Sequence, residues 1–412
     1  MNRLAYLISQ YPAISHTFIL REISTLRKFN FDISVTSINP PDRDIKQLTD
    51  IEQEEAINTY YIKPDGIIGA GKAHFYTILT QPLNYLRGLF FALRLGKFDL
   101  KKILYNFFYF VEAVMIGQWM RKNKLLHLHV HFGMEAATVG LITKRTFPIT
   151  FSFTMHGPRD FYDIYGCYLS QKILDADFIC CISNFAKSQL MMLSPSTCWD
   201  KLEVGPLGVN PNIFTPRQFR QHPEPFEILC VGRLVPDKGQ FILIEAITRL
   251  IAKGYNLRLH LVGNGPDKLT LATEVKQREL TKQIIFVGAV NQDQIIHFYA
   301  NTDIFVLASF AEGLPVVLME AMAMEIPCVT TNITGIPELI EHRVNGLLVT
   351  PSDIDSLTIA LAELMDKPNF RRQLSIAAGK KVRQAYELQQ NTKKLANIFQ
   401  KRLNNFNILR IP

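Results

Sequence analysis

The sequence has six cysteines, Cys167, Cys180, Cys181, Cys198, Cys230 and Cys328, and no C-x-x-C pair among them. A zinc ribbon or a thioredoxin-type dithiol is therefore not encoded. The opening residues MNRLAYLIS read as a strand and lack the apolar stretch and small-residue cleavage site of a secretory signal. The chain is accordingly expected in the cytoplasm, with its thiols reduced and packed in the core. There is also no clean apolar run long enough to span a bilayer, because Asn106 and Glu112 interrupt the best candidate, 103–120. Gly66-Ile67-Ile68-Gly69-Ala70-Gly71-Lys72-Ala73 nearly spells a P-loop, but Ala73 stands where the magnesium-binding hydroxyl belongs, which argues against an ATPase. The net charge of +8 comes with no nucleic-acid recognition motif, so no nucleic-acid partner is expected.

What is present describes an α/β protein. Hydrophobic residues make up 48% and charged residues 20% of the chain, which excludes long disorder. A length of 412 residues exceeds one ordinary core and implies two domains. Strands are expected at 4–9, 33–38, 126–131, 149–154 and 178–182, with a helix opening near Ser15 and another from Asn184. Pro206, Pro211, Pro216, Pro223 and Pro225 then punctuate a polar stretch, the mark of a linker. The rhythm restarts with strands at 226–232, 257–262, 284–287, 303–308 and 328–331. The expected boundaries are a first domain at 1–207, a linker at 208–225, a second domain at 226–387 and a C-terminal helix at 388–412. Strands alternating with helices imply two parallel, Rossmann-like sheets, which bind ligands beyond the carboxyl ends of their strands.

One segment, 72–124, stands apart. It holds nine basic residues (Lys72, Arg87, Arg94, Lys97, Lys101, Lys102, Arg121, Lys122, Lys124) against Asp99 and Glu112. It is also rich in aromatics, among them Phe90, Phe91, Phe98, Phe107, Phe108 and Trp119. Two readings stay open: contact with an anionic membrane surface, or helices with an ordinary solvated basic face.

The chemistry-bearing residues begin with Val231-Gly232-Arg233-Leu234-Val235-Pro236-Asp237-Lys238-Gly239, which follows one expected strand and precedes the helix 240–253. Two cations beside a helix N-terminus suit a diphosphate. Next comes Glu312-Gly313-Leu314-Pro315-Val316-Val317-Leu318-Met319-Glu320, a loop turning into a helix with Pro315 expected in its first turn. Eight positions apart, Glu312 and Glu320 would lie roughly 12 Å apart along a helix axis. They are too far apart to share a proton, and suit hydroxyls at two ends of an extended ligand.

These segments, followed by AMAMEIPCVTTNITGIPELI and NGLLV, resemble glycosyltransferase family 4, and the likeness is densest over 226–350. Thr154-Met155-His156-Gly157 is similar to the family's donor-side histidine motif. Ser15-His16-Thr17-Phe18-Ile19 with Glu22, and His129-Val130-His131-Phe132-Gly133, resemble its exopolysaccharide and colanic-acid members. The resemblance implies the GT-B fold: two Rossmann-like domains facing each other across a cleft, with the C-terminal helix crossing back to the first. It implies a retaining, metal-independent transferase with no cofactor, in which a nucleotide diphosphate-sugar is a co-substrate and a glycan or lipid-linked molecule the acceptor. Such an enzyme would serve cell-surface polysaccharide biosynthesis, in the cytoplasm and peripheral on the inner face of the plasma membrane.

Carried over residue by residue, the resemblance assigns Arg233 and Lys238 to the diphosphate, Glu320 to the ribose, Glu312 to a sugar hydroxyl and His156 to the sugar near the reacting carbon. Gly232, Gly313, Leu314 and Val316 complete the donor site, with Gly288 and Val290 near the base. Ser15, His16, Thr17 and His131 fall on the acceptor side. One departure is visible: the family often has paired glycines where this chain reads Thr334-Gly335.

Other signals point elsewhere. His127, His129 and His131 share one face of a strand and invite a zinc reading, yet only Glu135 lies close in sequence. The D-x-D triplets at Asp42/Asp44, Asp175/Asp177 and Asp353/Asp355 suggest a metal-dependent transferase, but their contexts fit capping and surface roles. Two competing functions remain: a nucleotide-sugar epimerase on the same fold, and a catalytically silent sugar-nucleotide-binding protein at the membrane.

Overall fold

The computed structural model describes residues 3–408. Two compact units are present: the chain up to Gly205 together with the chain from Thr392 on, and Pro206–Asn391. The first unit is built on seven parallel strands: β1 (Arg3–Gln10), β2 (Asp32–Asn39), β3 (Tyr60–Tyr61), β4 (His127–His131), β5 (Thr150–Met155), β6 (Phe178–Cys181) and β7 (Leu202–Val204). Their order is β3-β2-β1-β4-β5-β6-β7. The first unit's helices are α1 (Thr17–Lys28), α2 (Asp50–Asn58), α3 (Ile62–Thr80), α4 (Pro82–Leu95), α5 (Leu100–Lys122), α6 (Glu135–Thr146), α7 (Leu169–Asp175) and α8 (Asn184–Met192).

The strand period of two divides the first unit's core. Ala5 and Leu7 of β1 join a cluster with Phe110, Val114 and Ile116 of α5 and Val139 and Ile142 of α6. Leu4, Tyr6 and Ile8 face the other way, onto Ile19 and Ile23 of α1 and onto Leu395 and Phe399 from the C-terminal helix. Phe399 is fully buried, with its ring against Tyr6, Phe31, His129 and Phe178.

The second unit has six parallel strands: β8 (Phe226–Val231), β9 (Leu257–Val262), β10 (Ile284–Gly288), β11 (Ile304–Leu307), β12 (Cys328–Thr331) and β13 (Leu347–Val349), in the order β10-β9-β8-β11-β12-β13. Its helices are α9 (Gln240–Ala252), α10 (Lys268–Gln277), α11 (Gln292–Ala300), α12 (Val316–Ala323), α13 (Ile336–Leu339), α14 (Ile354–Asp366) and α15 (Pro368–Ala385). The last helix, α16 (Leu388–Ile408), starts in this unit and continues into the first.

The stretch 208–225, expected as a linker, packs on the second unit instead. Val209 exchanges backbone hydrogen bonds with Tyr386 and Leu388 at 2.9 Å each, and Phe214 is buried. Arg220 pairs with the buried Asp303, and the fully buried Arg371 donates to the Arg220 and Gln221 carbonyls at 2.9 and 2.8 Å. A Pro-rich polar segment can be ordered by side chains without any ladder, and its composition does not reveal this.

Two local expectations also change, and the discounted P-loop likeness is accounted for. The helix expected to open near Ser15 starts at Thr17, after a short 3-10 turn, Ile14–His16. Pro315 precedes α12 at its cap position, with an extended ψ of 117°, rather than in its first turn. The P-loop-like residues 66–73 lie inside α3, kinked at Gly66, and not between a strand and a helix.

Candidate active site

In both sheets the strand order reverses once, between β8 and β11 in one and between β1 and β4 in the other. Such switch points open a crevice beyond the carboxyl ends of the strands. Most of the candidate residues lie on the loops about these two places, which are described one unit at a time.

In the second unit, β8 runs into Gly232 and a short turn at Pro236–Lys238, and α9 follows. Gly239, at φ +64°, makes the turn possible: a Cβ there would stand 2.1 Å from the Ala308 carbonyl oxygen at the end of β11. This close approach draws the two strand ends together. Lys238 Nζ donates to Glu312 Oε1 at 2.6 Å, and Ser309 Oγ donates to the same oxygen at 2.7 Å. Gln240 Nε2 pins the loop through the Arg233 carbonyl at 2.8 Å. Arg233 is exposed and makes no ion pair among the described residues. One cation is thus held against a carboxylate while the other is open to solvent.

Thr334, where the family has glycine, adopts the left-handed conformation with φ 47°. A β-branched residue is strained there. Its hydroxyl donates to the Glu312 carbonyl, a bond glycine could not make, and Thr331 Oγ1 holds the Ser309 carbonyl at 2.6 Å. The loop carrying Glu312 is therefore tied down from two sides.

Glu320 lies on α12, buried, and accepts the Tyr299 hydroxyl at 3.0 Å. Leu314 is buried, and Gly313 and Val316 are half-buried beside it. Gly288 closes β10 with φ +88°, and Val290 follows in the loop to α11. These two lie at the sheet edge, two strands from β8. The structure brings Lys238 and Glu312 into contact, with Glu320 further along the helix.

In the first unit the β4 and β5 ends carry His131 and His156. His131 Nδ1 and His156 Nε2 are 2.9 Å apart, and His131 Nε2 faces Glu22 Oε1 at 3.4 Å. The Tyr6 hydroxyl donates to that carboxylate at 2.9 Å. Rings enclose His156: Phe18 with centroids at 5.0 Å and Phe132 at 4.6 Å. His16 packs on Phe132 at 5.0 Å. Ser15 is exposed and Thr17 opens α1. Burial, reinforced by His131 and His16, pushes the His156 imidazole far below its usual range, so the ring is neutral at pH 7.

Two supporting residues give no sequence signal. Asp160 accepts the His156 and Gly133 backbone N–H groups at 3.0 and 3.1 Å, and burial pushes its carboxyl up to about 6 despite those bonds. Lys172, fully buried on α7, donates to the Gly133 and Met134 carbonyls at 2.8 and 2.7 Å, and burial pushes it down to about 8. Both brace the β4 and β5 ends on which His131 and His156 stand.

The other histidines are structural. His127 contacts the Thr150 and Ser152 hydroxyls at 2.7 and 2.8 Å, and His129 those of Ser152 and Thr154 at 2.7 and 2.9 Å. Burial pushes His127 down to about 3 and His129 well below its usual range. No group of three or more His, Cys, Asp or Glu side chains among the described residues is arranged to hold a metal ion. The aspartate triplets are spent locally. Asp42 accepts the Ile14 N–H at 2.8 Å, Asp175 and Asp177 pair with Arg145 and Lys144, Asp353 caps α14, and Asp355 pairs with Arg249.

The two parallel, Rossmann-like sheets are those of the GT-B fold, and comparison with known proteins agrees. Residues 213–381 match the family described as glycosyl transferases group 1, so the chain carries a group 1 glycosyltransferase domain. It is 26% identical over 383 residues to the amylovoran biosynthesis glycosyltransferase AmsK of Erwinia amylovora, covering 88% of this chain and 90% of that protein. A Salmonella typhimurium relative named for colanic acid biosynthesis, WcaL, is 24% identical over 97% of this chain and 99% of its own length. Among solved structures, Anabaena Alr3699/HepE in complex with UDP superposes with a TM-score of 0.72 at 16% identity, covering 97% of this chain and all of that one.

Proposed function

We propose that the protein is a retaining glycosyltransferase that moves a sugar from a nucleotide diphosphate-sugar to a glycan or lipid-linked acceptor in cell-surface polysaccharide biosynthesis. The observation that carries this reading is the contact of Lys238 with Glu312 at the second sheet's switch point, with the exposed Arg233 on the same loop as Lys238. Arg233 and Lys238 would offset charge on the departing diphosphate, Glu312 would take a sugar hydroxyl, and Glu320, oriented by Tyr299, the ribose. His156 would meet the donor sugar, and the Ser15–Thr17 loop with His131 the acceptor side. The acceptor hydroxyl would attack from the face the diphosphate leaves, a phosphate oxygen taking its proton, with neither a metal nor a cofactor. Such catalysis rests on alignment and electrostatic stabilisation. Relatives named for amylovoran and colanic acid biosynthesis, and a structural neighbour crystallised with UDP, support the reading.

A thermal-shift screen against UDP-, GDP- and ADP-sugars tests it. A donor at 100 times its dissociation constant should add about 2.7 kcal/mol of stability. One nucleotide class should stabilise the protein, and Arg233→Ala should abolish the effect. No response to any sugar nucleotide would overturn the assignment.

The transfer is further proposed to run at the inner face of an anionic membrane. No helix among the described residues is long and apolar enough to cross a bilayer. The α4–α5 hairpin nevertheless exposes Leu83, Leu86 and Phe90 on α4, a fully exposed Phe98 at its turn, and Leu100, Leu104 and Phe108 on α5. Exposed Arg87, Arg94, Lys97, Lys101 and Lys102 interleave with them. Apolar side chains with cations beside them match a leaflet of acidic headgroups over acyl chains. The protein should sediment with phosphatidylglycerol-containing vesicles at about 50 mM salt, far less at about 500 mM, and poorly as Phe98→Ser/Leu100→Ser. Absence of binding at low salt, or a dimer closed by this face, would refute the assignment.

A further inference from the structure

Glu22, His131 and His156 form a row whose far end is unsatisfied. The His156 ring is buried, and its Nδ1 has no hydrogen-bond partner. We infer that Glu22 and His131 are positioning residues that fix the tautomer of His156, leaving its Nδ1 bare as an acceptor for a substrate hydroxyl. The inference rests on the reading that His156 meets a sugar, and it adds which atom does so and in which role.

The argument follows the protons. Tyr6 is buried beside Glu22, which raises its phenol well above the usual range, so it keeps its proton and donates to Glu22 Oε1. Glu22 Oε1 thus accepts from Tyr6, and His131 Nε2 faces the same oxygen at 3.4 Å without completing a hydrogen bond. A bare ring nitrogen facing a carboxylate oxygen is repulsive, so a His131 ring with a single proton holds it on Nε2. His131 Nδ1 is then bare and can only accept. Its neighbour at 2.9 Å, His156 Nε2, must carry the proton between them. His156 is neutral and has one ring proton, so Nδ1 has none. A buried acceptor left alone is costly, and a donating hydroxyl removes that cost. A ligand oxygen without a proton, such as a phosphate oxygen, would be repelled. Phe18 and Phe132 flank the His156 ring, and no hydrogen-bond partner among the described residues reaches its Nδ1.

The alternative is a doubly protonated His131, which would donate to His156 Nε2 and put the proton on Nδ1. It would turn His156 into a donor and reverse the inference.

The test uses the full chain labelled with 15N-histidine, with His156→Gln identifying the His156 signals. In the free protein His156 Nδ1 should show the shift of an unprotonated ring nitrogen and Nε2 that of a protonated one. Glu22→Leu removes the carboxylate and should move both signals toward tautomer exchange. Glu22→Gln, whose amide oxygen can still accept from His131 Nε2, should restore the wild-type pattern. A purely structural role for Glu22 would leave the tautomer unchanged in a folded Glu22→Leu protein. A protonated Nδ1 in the wild type would overturn the inference outright. These signals need no substrate, so they stand even if the proposed reaction fails. Where a donor has been found, Glu22→Leu should weaken the sugar nucleotide about tenfold, one hydrogen bond's worth, while leaving the nucleoside diphosphate unchanged.

Discussion

The contact between Lys238 and Glu312 predicts a separation of stability from activity. The two charges meet at 2.6 Å with side chains only 17% and 10% exposed. At an effective dielectric of about 20, attraction at this distance is about 6 kcal/mol. Desolvating two nearly buried ions takes back several kcal/mol, which leaves a net coupling of about 2 kcal/mol. Lys238→Met strands Glu312 with only the Ser309 hydroxyl, and should cost about 3 kcal/mol. Adding Glu312→Gln removes the stranded charge while keeping an acceptor for Ser309, so the double variant should lose only about 1 kcal/mol. Scanning calorimetry would show this as a melting temperature that falls about 6–10 °C in the single variant and largely recovers in the double. Turnover should not recover, remaining down about 10² to 10³ in both, because the proposed diphosphate site has lost a cation. Glu312→Gln alone frees the ammonium, so the nucleoside diphosphate should bind several-fold tighter while transfer slows. A coupling below about 0.5 kcal/mol, or a double variant as unstable as Lys238→Met, would refute the reasoning.

Three further outcomes follow from the same geometry. Gly239→Ala places a methyl 2.1 Å from the Ala308 carbonyl oxygen at a left-handed position, and should cost about 2–4 kcal/mol by calorimetry. Tyr299→Phe removes the bond that orients Glu320, and should raise the donor KM about five-fold and cost about 1–2 kcal/mol of stability. Burial raises the Glu112 carboxyl from 4.5 to about 7. Between those values the folded state binds the extra proton, so stability falls as pH rises from about 4.5 to about 7. Glu112→Gln should therefore be about 2–3 kcal/mol more stable than wild type at pH 8 and nearly equal at pH 4.5, and an equal advantage at both would contradict the burial argument.

Elements with a strong local signature were legible in the sequence. The strands at 226–231, 257–262 and 328–331 were expected almost to the residue, because a short buried apolar run bounded by turn residues carries its own signal. The strands Tyr60–Tyr61, Leu202–Val204 and Leu347–Val349 were not expected, since two or three residues form no period. The candidate site was legible as motifs but not as contacts. Arg233, Lys238, Glu312 and Glu320 could each be named, yet the pairing of Lys238 with a carboxylate 74 positions away depends on which strands flank the switch point. Nor could the sequence say that Thr334 would hold a glycine's backbone conformation by bonding to the Glu312 carbonyl.

The histidine strand shows why such pairings escape a one-dimensional reading. His127-Leu128-His129-Val130-His131 alternates polar and apolar residues, the pattern of a strand with one solvated face. Both faces are buried here. The neighbouring Thr150-Phe151-Ser152-Phe153-Thr154 alternates in the same phase, and the parallel register sets His127 beside Thr150, His129 beside Ser152 and His131 beside Thr154. Each hydroxyl then meets the imidazoles across one rung, and the buried polar rows satisfy each other. Either strand alone looks as though it should face water, and only together do they make an interior. The row stops being self-sufficient at His131, which turns to Glu22 and His156 instead of Thr154. It is where the sheet's internal pairing ends, at the carboxyl edge, that an imidazole is left with an atom for something else to bind.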